Sequence, residues 1–540
     1  MNPSTDSESV AKRETGQSLG RSWLAGSVGI FASRISGLAR DVASAWYWGA
    51  TGVCQAAFTV AFAIPNSLRQ LFSEGAFTAA FVPMLSERLA TDRKEEAWQL
   101  AHRAISVQAL AVTAVSLCFA AVSGALYCLG AFQGNAETRL TLRILPLLMP
   151  FAILICSAGA FSAILNSLKS FLLPSAIQIT LNAVHVAAIL GLAWSGLTNE
   201  DLRALYIFCG ATLFGGAIEL LILALAARRR GYRFHFIPDW HAAEVKELCL
   251  RILPGVIGAG VMQINSLIDN AFSLYLGKAA IGALNYSHRL VYLPVGLFAV
   301  ALGTAALPAL SRAQAKGDET AIVDTFNYAV RTVLFLALPC TLYLSVCGQN
   351  VIAMLFERGA FTSTATINTY WVLLFYLVGL PAFCLAKVAT NPFHARKDTK
   401  TPMLISVVCL FLNILLNAAL IRPLGASGLA LSTSLCSWLN VSILFTLNRK
   451  HMPAWNLLPV RQGAISLLCW AMIAATGAHL VDTALAQCFA GHSGFLFRVI
   501  AVALTFVTAS GVYLGGCFVM KMPEALAMIA LLPGQRRKVL

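Results

Sequence analysis

The sequence is dominated by long, mostly apolar stretches that follow one another from Ser22 to Val519 with short polar breaks between them. A helix that crosses the hydrocarbon core of a bilayer needs about 20 such residues. Because the bilayer offers no water to backbone N–H and C=O groups, each crossing segment must satisfy its own hydrogen bonds as a helix. The composition agrees, since 58% of the residues are hydrophobic and only 12% are charged. We therefore predict an all-α polytopic membrane protein.

About fourteen transmembrane helices are expected, beginning near residues 22, 53, 104, 140, 172, 204, 252, 280, 326, 367, 402, 427, 463 and 495. Basic residues concentrate in the breaks after even-numbered helices and are few after odd-numbered ones. Because positive loops stay cytoplasmic, both termini are predicted to be cytoplasmic. The net charge of +15 has the same explanation. It does not indicate nucleic-acid binding, because the basic residues form no single face interleaved with aromatic residues.

An internal repeat divides the chain. Three motifs recur at offsets of 225, 229 and 228 residues: "FVPMLS" at 81–86 as "ALPALS" at 306–311, "GAF" at 130–132 as 359–361, and Lys169 with Pro174 as Lys397 with Pro402. This spacing predicts two six-helix lobes, with the substrate cavity expected between them. The predicted domains are a disordered cytoplasmic tail at 1–20, an N-terminal lobe at 21–230, a cytoplasmic basic linker at 231–251, a C-terminal lobe at 252–450, two additional transmembrane helices at 451–520 and a cytoplasmic tail at 521–540.

The fourteen cysteines occur singly, almost all within apolar stretches, and no C-x-x-C pair is present. This pattern argues against disulfides and zinc sites. We predict thiols that pack as small apolar side chains between helices.

Ionisable residues within the predicted helices are the candidate functional residues, because a charge inside a bilayer is costly. The basic ones outnumber the acidic ones near them: Arg34, Arg40, Arg69 and Arg289 stand against Asp41 and Glu74. A surplus of buried cations predicts an anionic ligand, and the planar guanidinium group matches phosphate bidentately. The alternative is a set of internal ion pairs that only fasten helices together, such as Arg34 with Asp41 and Arg69 with Glu74.

Supporting or gate roles are assigned to four residues, namely Asp41, Glu74, His288 and Lys387. His288 lies beside Arg289 and is a candidate proton-sensitive element. The alternative is that it is a hydrogen-bonded packing residue, which is also the interpretation preferred for His185.

A second group of polar residues has the composition of a sodium site. Asn413 and Asn417 are four residues apart and so share one helix face. Asp269 is the one acid of the seventh predicted helix, and Thr433 adds a hydroxyl from the twelfth. Hard oxygen ligands suit a small hard cation. The alternative is a set of interhelical hydrogen bonds.

Four long strings carry a resemblance to a known family: "SRISGLARD", "IPNSLRQLFSEGAFTAAFVPMLSE", "YSHRLVYLPVGLFAVALGTAALPALS" and "RKDTKTPM". With them the chain resembles the MurJ (MviN) family, the lipid II flippases of the multidrug/oligosaccharidyl-lipid/polysaccharide exporter superfamily. The resemblance runs from about Ser22 to the last predicted helix. It implies a transporter of the bacterial cytoplasmic (inner) membrane, not an enzyme, working by alternating access.

The resemblance also implies roles for the residues singled out above. Arg34, Arg40, Arg69 and Arg289 would hold the pyrophosphate of the undecaprenyl-pyrophosphate-linked disaccharide-pentapeptide, and the last two helices would form a groove for its polyprenyl tail. Some members bind sodium at positions matching Asp269, Asn413, Asn417 and Thr433, although the position of Asn417 is acidic in such members. Membrane lipid and cell-wall synthesis proteins are the other expected partners. No cofactor beyond a sodium ion is expected.

Rival functions remain open. One is an exporter of another polyprenyl-linked glycan, and another is a cation-coupled multidrug exporter. A drug exporter for cations should carry net acidic cavity residues, which this chain lacks. A membrane-embedded glycosyltransferase would need a catalytic acid or base in a sizeable outward loop, and the loops here are short and poor in carboxylates.

Overall fold

The computed structural model describes residues 29, 31–130, 132–452, 455–456, 458–488 and 494–530, and within these ranges it is helical and holds no strand. The first helix, α1, covers 31–48. The others are α2 Val53–Arg69, α3 Ala76–Ala90, α4 Lys94–Cys128, α5 Ala136–Ser167, α6 Leu172–Ala176, α7 Gln178–Trp194, α8 Leu202–Arg229, α9 Ala243–Leu276, α10 Lys278–Pro294, α11 Val300–Lys316, α12 Glu319–Phe356, α13 Ser363–Ala389, α14 Asn391–Ala395, α15 Lys400–Leu424, α16 Ala426–His451, α17 Leu458–Cys488, α18 Phe495–Val519 and α19 Pro523–Ala530.

Eleven membrane-crossing segments in the described part of the chain are long and apolar enough to span a bilayer. This confirms the polytopic, all-helical prediction. The three further predicted spans coincide with α1, with α2 and α3, and with α9, which are helical in the described residues. These are the helices that carry the predicted functional residues Arg34, Arg69 and Asp269, among others. The expected total of fourteen is compatible with this result.

Two short π-helical segments occupy equivalent places in the two halves of the chain. The first, π1, covers Gln70–Glu74 between α2 and α3, and the second, π2, covers Val295–Ala299 between α10 and α11. In the second copy the leading helix and the π segment each begin 225 residues after those of the first. The sequence repeat therefore has a structural counterpart, and π segments of this kind occur frequently at functional sites.

The chain divides into two compact units, of which one ends at Leu267 and the other begins at Ile268. In the first unit α5 lies against α2, α4 and α8. Small residues permit this packing, because a Cβ on Gly159 of α5 would come within 1.5 Å of the Ser73 hydroxyl in π1. Such small residues let membrane helices approach closely.

In the second unit α13 lies against α10, α12 and α16, while α17 and α18 pack on α12. A close approach again depends on glycine, since a Cβ on Gly379 of α13 would lie 2.8 Å from the Ser434 Cα of α16. The Tyr513 hydroxyl of α18 donates a hydrogen bond to the Phe335 carbonyl of α12 at 2.7 Å. The last two predicted membrane helices are thus joined to the second unit.

All fourteen cysteines lie in the described part of the chain and are free thiols. Eight of them are buried, including Cys54, Cys156 and Cys209. This confirms the prediction of unpaired, packing cysteines.

Candidate functional site

Arg34 lies on α1 as an exposed side chain. Among the residues that the structure describes it has no hydrogen-bond or ion-pair partner. The five N–H donors of its guanidinium group are therefore not used within the described part of the protein. This arrangement is expected of an arginine that binds an anionic ligand.

Arg40, one and a half turns further along α1, is held by two partners. Its Nη2 lies 2.8 Å from Asp41 Oδ1, and its Nη1 donates to Asn182 Oδ1 of α7 at 3.1 Å. The sequence suggested Arg34 as the internal partner of Asp41 and counted Arg40 as uncompensated. The structure instead pairs Asp41 with Arg40, because the Nε and Nη2 donors of one guanidinium group both reach Oδ1 of the neighbouring residue. The charge of Arg40 is thus locally balanced.

Arg69 ends α2 and is oriented by two amide oxygens. Its Nε donates to Asn66 Oδ1 at 3.1 Å, and its Nη1 donates to Gln178 Oε1 of α7 at 3.3 Å. The predicted alternative partner, Glu74, has a side chain that lies outside the described residues.

Gln178 and Asn182 are functional candidates that the sequence analysis missed. They lie one turn apart on α7, and each accepts a hydrogen bond from an arginine of a different helix. Asn182 is buried and also donates to the Ser36 hydroxyl of α1 at 2.9 Å. The signal was present in the sequence as two amides four residues apart in a mostly apolar helix. The structure therefore brings Arg40 and Arg69 together at one face of α7.

His288 and Arg289 are both exposed side chains of α10 in the second unit. The His288 ring stacks on Tyr292, with centroids 4.0 Å apart and an interplanar angle of 23°. This contact supports the interpretation of His288 as a packing residue. Its role as a proton-sensitive element stays a prediction. Lys387 of α13 is half-buried and has no hydrogen-bond or ion-pair partner within the described ranges. Its gate role stays a prediction.

The structure agrees with the interpretation of His185 as a hydrogen-bonded packing residue. Its Nε2 lies 3.0 Å from the Thr212 hydroxyl of α8, and both side chains are buried. The ring also lies 4.8 Å from that of Phe208. It is a packing histidine with a satisfied hydrogen bond.

The four residues of the predicted sodium site lie together in the second unit. Asn417 Nδ2 donates to Asp269 Oδ1 at 2.7 Å and to Asn413 Oδ1 at 2.9 Å. Asn413 Nδ2 lies 3.5 Å from the Thr433 hydroxyl. The structure adds Ser432, which the sequence analysis missed and whose hydroxyl donates to Asn417 Oδ1. We call these five residues the polar cluster.

The donor set of the polar cluster suits a small hard cation, since it consists of one carboxylate, two amide oxygens and two hydroxyls. Asn413, Asn417 and Ser432 are buried. In the structure the two N–H groups of Asn417 satisfy the oxygens of Asp269 and Asn413. The same arrangement therefore also fits the alternative of interhelical hydrogen bonds.

The family model and the curated relatives that match this chain carry the same description. The family model described as "Lipid II flippase MurJ" matches residues 45–510. A relative from Vibrio cholerae, named "Probable lipid II flippase MurJ", is 33% identical over 425 residues, which cover 76% of this chain and 79% of the relative.

Two solved structures share the fold. The one titled "Lipid II flippase MurJ, inward closed conformation" has a TM-score of 0.70 at 23% identity and covers 92% of this chain and 100% of its own. A multidrug resistance MATE family transporter of the MOP superfamily, in an inward-facing conformation, has a TM-score of 0.65 at 12% identity over 78% of this chain and 95% of its own.

Proposed function

Because the chain belongs to the MurJ family of lipid II flippases, we propose that it moves lipid II from the inner to the outer leaflet of the bacterial cytoplasmic membrane. It is a multi-pass membrane transporter and not an enzyme. The observation that carries the proposal is the family match, which extends over residues 45–510 and so covers most of each unit. Both termini are proposed to be cytoplasmic, in line with the distribution of basic residues.

The arginines of the first unit are proposed to bind the anionic headgroup. Arg34 offers an exposed guanidinium group, and Arg69 offers one whose direction is fixed by Asn66 and Gln178. A pyrophosphate would accept charge-assisted hydrogen bonds from such groups. Arg289 of the second unit keeps its predicted role at the headgroup. The polyprenyl chain would remain in lipid while the headgroup crosses by alternating access.

The membrane potential favours this direction of transport. With the inside negative, outward movement of an anion gains roughly 2.3 kcal/mol per charge per 100 mV. A headgroup that carries more than one negative charge would gain that amount for each. Return of the empty, cationic carrier would use the same potential.

Reconstitution of the full chain in liposomes with fluorescent lipid II tests the proposal. We expect the label to move between leaflets only when the protein is present, as measured by its accessibility to a membrane-impermeant quencher. In a host depleted of the protein, lipid-linked precursor should accumulate on the inner leaflet. Normal outward delivery after depletion would overturn the proposal. Transport of a cationic dye by the same liposomes, without movement of lipid II, would favour the multidrug exporter instead.

We also propose that the polar cluster binds sodium. Asp269, Asn413 and Asn417 would hold the ion with the hydroxyls of Ser432 and Thr433. For the amide oxygen of Asn417 to take part, its N–H groups would have to turn away from Asp269 and Asn413, where they donate in the structure. Asp269 is the one carboxylate of the set, so it would supply the charge that balances the ion.

Asp269→Asn is expected to abolish stabilisation by sodium. A ligand that binds only the folded state stabilises it by about 2.7 kcal/mol at 100 times its Kd. Sodium should therefore raise the unfolding temperature of the purified protein, and potassium at equal ionic strength should not. The thermal shift should vanish in the variant. An equal thermal shift with potassium, or an unchanged shift in the variant, would contradict the sodium site. The polar cluster would then be a set of interhelical hydrogen bonds.

A further inference from the structure

The segment that follows α8 leaves the helix in a fixed direction. We call the last two residues of α8 together with this segment, residues 228–240, the basic strap. Gly231 has a φ of +95° and occupies the left-handed position of a helix C-terminus, and the Tyr232 N–H donates to the Ala227 carbonyl at 3.1 Å. These are the features of a Schellman motif. The Tyr232 side chain is buried in the core of the first unit and anchors the start of the strap.

Contacts with α4 hold the strap along its length. The Tyr232 hydroxyl lies 3.1 Å from His102 Nδ1, and the His235 N–H donates to the same nitrogen at 3.2 Å. Further along, the Ile237 N–H donates to the Ser106 hydroxyl at 2.9 Å. The backbone of the strap is thus bonded to two successive turns of α4. The rings of Phe234 and His235 also lie near His102, with centroids 6.4 and 5.1 Å away.

The strap carries positive charge that the described residues do not balance. Arg228, Arg229 and Arg233 are exposed and have no ion-pair or hydrogen-bond partner for their side chains within the described ranges.

The carboxylates of the strap and of the start of α9 face other arginines. Asp239 and Glu244 face Arg103 at 3.7 and 2.9 Å, and Glu247 faces Arg251 at 2.6 Å. Of the four arginines of the strap, Arg228, Arg229 and Arg233 therefore form an uncompensated cluster, while Arg230 donates to the Leu168 carbonyl.

Exposed aromatic rings follow these cations along the strap. The exposed fractions are 41% for Phe234, 58% for Phe236 and 46% for Trp240. Rings of this size are costly to leave in water, which distinguishes the strap from an ordinary solvated basic loop. Aromatic residues next to arginines, directly after a helix that spans a membrane, are typical of the headgroup region of a bilayer. There the rings reach the acyl boundary and the guanidinium groups reach phosphate.

We propose that the basic strap is a binding site for anionic glycerophospholipid. Arg228, Arg229 and Arg233 bind, through their guanidinium groups, the phosphodiester of one lipid and the phosphates of adjacent lipids in the same leaflet. The rings of Phe236 and Trp240 insert between the headgroups. A clustered cation of this kind selects anionic over zwitterionic lipid by charge. The site is separate from the arginines assigned to the transported headgroup, which lie on other helices, and it does not depend on the proposed transport activity.

The test is native mass spectrometry of the full chain with added phosphatidylglycerol or phosphatidylcholine. We expect the triple variant Arg228→Gln, Arg229→Gln, Arg233→Gln to lower the phosphatidylglycerol-bound fraction at least fivefold and to leave the phosphatidylcholine-bound fraction unchanged. The matched control is Arg449→Gln, Lys450→Gln, Arg461→Gln, which removes three exposed cations of the second unit and should keep the parent level. An unchanged fraction in the strap variant, or an equal fall in the control, would overturn the proposal.

A second readout does not depend on removal of charge. Brominated phosphatidylglycerol should quench part of the tryptophan fluorescence of the parent protein, and Trp240→Phe should remove that part. If the quenched fraction is the same in Trp240→Phe, the strap does not meet the lipid. Unfolding temperatures of all variants should match the parent, because the substituted side chains are exposed.

Discussion

Arg34→Ala is expected to reduce lipid II transport strongly while leaving the protein at its normal abundance. The side chain is exposed and has no described partner, so its loss breaks no contact that holds the described fold together. A hydrogen bond to a charged group contributes about 1.5–3 kcal/mol. Losing the Arg34 contacts with pyrophosphate should therefore reduce transport about 10- to 100-fold, on the scale where 1.4 kcal/mol is a factor of ten. The measurement is the rate of fluorescent lipid II movement in liposomes, with membrane abundance determined in parallel.

The matched control is Arg139→Ala. Arg139 is also exposed and its guanidinium carbon lies 5.6 Å from the Tyr127 ring centroid, but it lies on α5 and is not assigned to the headgroup. It should keep parental transport. Loss of abundance in the Arg34 variant together with loss of transport would indicate a structural role. Parental transport by Arg34→Ala would remove this residue from the proposed headgroup site.

Asn182→Asp is expected to impair transport more than Asn182→Ala does, although it changes the side chain less. Asn182 is buried and accepts a hydrogen bond from Arg40, which already faces Asp41. A second carboxylate would turn a balanced pair into a local negative charge at the position where an anionic headgroup is proposed to bind. At partly buried sites two charges 4 Å apart interact by about 4 kcal/mol, so a loss of at least about tenfold is expected.

A double variant separates charge from shape. Asp41→Asn combined with Asn182→Asp restores a single carboxylate beside Arg40, and transport should recover relative to Asn182→Asp alone. Such non-additivity is the signature of residues that share a partner. If the double variant is the sum of the two single ones, Asn182 acts only through packing. Lipid II transport and protein abundance are measured for all four proteins, parent included.

The helical architecture could be predicted from the sequence because its physical cause is local. A run of apolar residues of membrane length must become a helix, whatever surrounds it. The polar cluster was predicted for a similar reason, since Asn413 and Asn417 share a face by spacing alone. Ser432 was missed because a serine in a membrane helix gives no signal that distinguishes it from the hydroxyls that bond to their own backbone.

Partners across helices could not be predicted in the same way. The pairing of Arg40 with Asp41 depends on how two adjacent side chains bend, and Arg34 was an equally reasonable partner by helix geometry. Gln178 and Asn182 could not be recognised as partners of the arginines from the sequence, because their hydrogen bonds with Arg69 and Arg40 depend on the packing of different helices. The π segments escaped prediction too, because the residues in Gln70–Glu74 and Val295–Ala299 share no motif that marks the extra residue in the turn.

The two π segments lie at equivalent positions, between α2 and α3 in the first half of the chain and between α10 and α11 in the second. A π turn carries one residue more than an α turn, so the helix after it is rotated by about 100° from where an unbroken helix would have continued. In the first half this offset falls directly after Arg69, between the guanidinium group and α3. The π turn therefore sets the direction in which α3 continues after the arginine. In the second half, π2 sets the direction of α11 after α10 in the same way.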